Sequence, residues 1–119
     1  MKAHEWILRS SNDSDTEEAN IKDSEIDGFV AIGSDSVIEK SKIRGYVAIG
    51  ENVHVRKCKI HDSVVFQDAK MTEAFVRGSI LAEKCIVKGG RIEKSVVGAS
   101  SYLRNANIFE EKISPFSVR

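Results

Sequence analysis

Large apolar residues recur along the chain at Ile26, Ile32, Ile38, Ile43, Ile49, Val55, Ile60, Phe66, Met71 and Val76, in steps of six or five. Two positions before each stands a small or branched residue: Ser24, Val30, Ser36, Ser41, Val47, Val53, Cys58, Val64, Ala69 and Ala74. Partners at i and i−2 share one face of an extended strand, because side chains alternate sides with a period of two. A helix would place its partners three and four apart, and these spacings do not supply them. The pattern predicts short strands that each end in a bend, with a large aliphatic packed inward at the bend and room on the flat wall only for Ser, Ala, Cys or Val.

Three such strands make a larger period, visible as self-similarity. Residues 26–42 lie over residues 43–59 without a gap, and eight of the seventeen positions are identical. A second series begins at Ile60, Val76 and Ile92, each with a serine three residues on (Ser63, Ser79, Ser95), and advances by sixteen. A period of 16 to 17 residues over residues 21–98 describes an all-β, parallel β-solenoid, in which each strand pairs with its equivalent one period later. Four to five coils stacked at about 4.8 Å give a prism roughly 20 to 25 Å long. Pro115, the single proline, lies outside the repeat, where no ladder needs its missing N–H.

The ends depart from the repeat. Residues 1–20 are expected as an N-terminal strand or latch around Trp6, Ile7 and Leu8, followed by a polar, acidic loop. Residues 99–119 are expected as a C-terminal cap, in which Leu103, Ile108, Ile113 and Phe116 cover the open end and residues 109–113 form a short helix. An uncovered end exposes core and unpaired strand edge, and then becomes an oligomer interface.

Composition narrows the function classes. Eighteen Lys and Arg balance eighteen Asp and Glu in 119 residues. A net charge of zero disfavours nucleic acid and anionic lipid as partners. The longest apolar runs fall far short of the roughly 18 to 20 residues of a membrane helix, so no membrane partner is expected. Cys58 and Cys85 form no C-x-x-C pair, and the N-terminus lacks a secretory core, which points to a reducing, cytoplasmic setting. Cys58 occupies an inward small position and is expected to behave as a small apolar residue.

The repeat resembles the hexapeptide pattern [LIV]-[GAED]-x-x-[STAV]-x, seen from Ile26 to Ala31, from Ile32 to Val37 and from Ile49 to His54. The resemblance implies a single-stranded left-handed parallel β-helix, and the handedness comes from it alone. The recurrent five-residue steps look most like the C-terminal β-helix of NDP-sugar pyrophosphorylases such as ADP-glucose pyrophosphorylase. No G-x-G-T-R nucleotide loop is present, so that enzyme activity does not carry over. What the resemblance implies is a non-catalytic module for oligomerisation or scaffolding, a homodimer or homotrimer, with a protein partner or an anionic sugar-phosphate effector and no cofactor.

Candidate chemistry is sparse. The histidines are His4, His54 and His61. Zinc enzymes built on this scaffold use three histidines, two of them in one coil. His54 and His61 are seven apart rather than five, and His4 lies outside the repeat, so no metal site is expected. The alternative from another class is a small hexapeptide acyltransferase with sites between subunits, in which His54 or His61 serves as base. The residue after each large aliphatic forms a column, Asp27, Arg44, His61, Arg77 and Glu93. It reads as a solvated strip of compensating charges or as an anion site at Arg44, His61 and Arg77. Phe29 and Tyr46 are expected to stack beside it as an outward contact patch.

Overall fold

The computed structural model describes residues 19–119, and His4, Trp6, Ile7 and Leu8 lie outside the described residues. The chain winds through about six coils. Coil one holds β1 (Asn20–Lys22) and β2 (Glu25–Ile32), and coil two holds β3 (Val37–Glu39) and β4 (Lys42–Ile49). Coil three holds β5 (His54–Arg56), β6 (Lys59–His61) and β7 (Val64–Val65), and coil four holds β8 (Lys70–Thr72), β9 (Phe75–Arg77) and β10 (Ile80–Leu81). Coil five holds β11 (Ile86–Glu93) and β12 (Val96–Val97), and coil six holds β13 (Tyr102–Phe109) and β14 (Lys112–Ile113).

All pairing is parallel and builds three walls. Wall A stacks β1, β3, β5, β8 and the first halves of β11 and β13. Wall B stacks the first halves of β2 and β4, then β6, β9 and the second halves of β11 and β13. Wall C stacks the second halves of β2 and β4, then β7, β10, β12 and β14.

The core is one column of aliphatics down the axis, including Ile26, Ile38, Ile43, Ile60, Met71, Leu81, Ile92 and Leu103, each under 2 % exposed. On walls A and B the large residues are central, as Ile38, Val55 and Met71 are, whereas on wall C they end their strands, as Ile32, Ile49, Val65 and Leu81 do. The small inward residues instead follow the bends directly. Many bends carry a residue in the left-handed region, among them Asp23, Lys40, Lys57 and Asp62, and the inward Ser24, Ser41, Cys58 and Ser63 come next in the chain.

Those small residues do more than save space. Where a bend interrupts the backbone ladder, a buried N–H left without an acceptor costs about 1 to 3 kcal/mol. Ser24 Oγ accepts the N–H of Ser41, and Ser41 Oγ accepts that of Cys58. Ser63, Ser79 and Ser95 relay N–H groups of the next coil in the same way, and each donates its own proton to the carbonyl two residues back. Among the described residues no buried side-chain nitrogen or oxygen lacks a partner.

Three expectations are corrected. Phe66 and Val64 do not point inward: Phe66 is 44 % exposed, and Ser63 and Val65 take the inward places. The step from Ile60 to the next core residue is five rather than six, and a slip of one residue moves a side chain to the opposite face. Residues 99–119 carry the ladder onward, with Leu103, Ile108 and Ile113 in the core column, so the coils number about six rather than four to five. Residues 109–113 contain the last residue of β13 and the whole of β14 instead of a helix, and Phe116 is 77 % exposed instead of covering the end.

Candidate functional site

The three walls differ in what they show to solvent. Wall A carries Lys22, Glu39, Arg56, Thr72, Lys88 and Arg104 in one outward column. Wall B is cationic in its middle coils, where the outward residues are Lys42 and Arg44, Lys59 and His61, then Phe75 and Arg77. Wall C carries no charge over five coils. Its outward column is Ala31, Ala48, Val64, Ile80 and Val96, interrupted only by Lys112 in coil six. Phe66 flanks that column, and Ile80 and Val96 are each 40 % exposed.

The expected column on wall B forms as a ladder. Arg44 pairs in register with His61, and His61 with Arg77. His61 Nε2 lies 3.4 Å from Asp62 Oδ2, whereas neither Arg44 nor Arg77 has an acidic partner among the described residues. His54 stands on wall A, outward between buried Val53 and Val55, so the two histidines of coil three occupy different walls. Phe29 and Tyr46 stack with centroids 4.9 Å apart and planes within 5°.

Asp62 is a site residue that periodicity does not reveal. In coils one and two the bend between walls B and C contains Gly28 with Phe29, or Gly45 with Tyr46. In coil three it contains Asp62 alone, because register passes from Arg44↔His61 to Ala48↔Val64 with one residue fewer below. The carboxylate reaches up to that gap, and its Oδ1 accepts the N–H of Tyr46 at 2.9 Å. Gly45 has a φ of 84°, and a Cβ there would collide with Asp62 Oδ1. The signal available in the sequence was the change of period from 17 to 16 at this point.

Cys58 and Cys85 are free thiols in the core, and burial pushes both pKa values above the ordinary 9.0. Cys58 takes part in the relay, donating to the Arg56 carbonyl and accepting from Ala74 N–H. Among the described residues no group of three or more His, Cys, Asp or Glu side chains is placed to hold a metal ion.

No protein-family model matches the sequence, and no curated protein matches it. Among solved structures the chain is similar to a Bacillus cereus protein described as a "putative acetyltransferase", with a TM-score of 0.82 and 20 % identity over 88 % of this chain and 71 % of that one. It also matches a GDP-perosamine N-acetyl transferase from Caulobacter crescentus at 16 % identity and a TM-score of 0.49, over 78 % of this chain and 50 % of that one. A Desulfovibrio desulfuricans protein with the same description as the first matches at 16 % identity and a TM-score of 0.47, over 87 % of this chain and 31 % of that one. The first likeness establishes the fold as a left-handed parallel β-helix. The pyrophosphorylase resemblance is not supported by these structures.

Proposed function

We propose that the chain is a non-catalytic β-helix module that assembles with further copies of itself through wall C. The observation that carries this reading is the uncharged apolar column Ala31, Ala48, Val64, Ile80 and Val96 on one wall of a prism whose other walls are charged. Contiguous exposed apolar surface on a soluble protein marks an interaction site, and a flat sheet face is self-complementary. In this reading the chain does what the resemblance to pyrophosphorylase C-terminal β-helices implies, namely subunit association. Sedimentation equilibrium tests it: a mass above the 13.2 kDa of one chain is expected, falling to one chain in an Ile80→Lys, Val96→Lys double variant of unchanged circular dichroism. A wild-type monomer at high micromolar concentration overturns it.

A second reading, a small acyltransferase with sites between subunits, draws on the description attached to the Bacillus cereus fold neighbour. The pairing of His61 with Asp62 at 3.4 Å supports it locally, since a carboxylate beside an imidazole orients it as a base. Saturable binding of acetyl-coenzyme A, with turnover lost in His54→Ala or His61→Ala, would favour this reading over the first.

A further inference from the structure

The step in coil length makes a ledge. Phe29 covers one face of the Tyr46 ring. In coil three the bend is one residue shorter and holds no counterpart of Tyr46, and the side chains that reach toward it from below are Asp62, on the Tyr46 N–H, and His61. Exposure agrees, at 70 % for Tyr46 against 47 % for Phe29. The floor below is open as well, because the equivalent bend of coil four carries Gly78. The ledge is held in place by the Tyr46 N–H bond to Asp62 Oδ1.

Charge lies alongside. Arg44, His61 and Arg77 descend wall B in one column next to the ledge, and both arginines are free of acidic partners among the described residues. Asp62 is the carboxylate within the notch, and its Oδ2 faces His61. Asp27 stands in register with Arg44 and Glu93 with Arg77 in the same column, but among the described residues neither forms an ion pair with those arginines, Glu93 being held by Arg91, so both guanidinium groups keep their N–H donors for an anion. An open aromatic face binds a flat ring by stacking, and a guanidinium binds a phosphate through paired N–H bonds.

We infer that the notch beneath Tyr46, flanked by Arg44 and Arg77, binds a mononucleotide, with the base stacked on the ring and the phosphate on the arginines. Arg77 lies two coils below the ledge, about 10 Å along the axis, which matches a ligand whose ring and phosphate are separated by a sugar. A nucleic acid strand would need successive platforms, and the aromatic column ends at Tyr46.

The test is isothermal titration of the whole chain with AMP, adenosine and ribose 5-phosphate. AMP is expected to bind saturably, and each of the two fragments at least about ten-fold more weakly. Tyr46→Ala and Arg77→Gln, both at exposed positions, are each expected to weaken AMP about ten-fold at unchanged circular dichroism. The inference is overturned if AMP binds no better than ribose 5-phosphate, if neither substitution changes its affinity, or if a ten-base single strand binds more tightly per site. None of these outcomes bears on assembly through wall C, which is read from mass.

Discussion

The bend between walls B and C is built in two ways within one molecule. In coils one and two it is long, and β2 and β4 run through it, pairing residue for residue from Glu25↔Lys42 to Ile32↔Ile49. There the inward residues are Val30 and Val47. In the later coils it is short, the strands stop on either side of it, and the inward residues are Ser63, Ser79 and Ser95. Where the backbone closes its own ladder the core position is free to be apolar. Where this short bend breaks the ladder, a serine hydroxyl supplies the missing acceptor. The bend between walls A and B shows the contrast in the opposite order along the chain, with Ala74 of coil four the exception at a broken bend. Ser24, Ser41 and Cys58 serve the broken upper coils, and Gly90 and Ala106 sit where β11 and β13 run through.

The most severe way to break this comparison is Val47→Asp. The position is 4 % exposed and its ladder is complete, so the carboxylate finds neither water nor a donor. Loss of the cooperative fold by circular dichroism is expected, and a soluble, cooperatively melting Val47→Asp protein would refute the assignment. At the short bend, Ser79→Ala leaves the N–H of Ser95 without its acceptor and takes one of two donors from the carbonyl of Arg77, which keeps the N–H of Lys94. A cost of about 1 to 3 kcal/mol in urea unfolding is expected, whereas His61→Ala, on the outer surface of the same wall, should stay within about 0.5 kcal/mol.

The smallest expected effect concerns the thiols. Burial raises the pKa of Cys58 in the fold, so the native chain keeps its proton at pH values where the unfolded chain releases it. Stability from this source is complete below the ordinary value of 9.0 and is lost as pH rises through the higher folded value. Unfolding midpoints should therefore decline above pH 9 and decline less in Cys58→Ser, whose hydroxyl takes the same place in the relay.

Much of this architecture is legible in the chain, because an inward pair every five or six residues is a direct imprint of a three-walled coil. The inward positions from Ser24 to Ile60 follow from spacing alone. Reading fails at Phe66 because Val64 with Phe66 and Ser63 with Val65 both satisfy the i and i−2 rule. The choice between them rests on two things that spacing does not carry, a hydroxyl required at a broken ladder and a ring too large for the axis. Coil six was hidden for a related reason. Lys94, Asn105 and Glu110 hold left-handed conformations that the pattern does not announce. At the candidate site, the alignment of Arg44, His61 and Arg77 was visible as a column. The ledge was not, since it arises from a difference between adjacent coils rather than from either one.

Among the described residues every ladder pair joins adjacent coils, in register 16 or 17 positions apart along the chain. Tension applied across the described coils would therefore meet no long-range clasp among them. The thread would leave its spool one turn at a time, each turn surrendering about 50 Å of slack while those beneath it kept their shape. Resistance to pulling would depend on the turn at the end of the spool, and hardly at all on how many turns lay behind it.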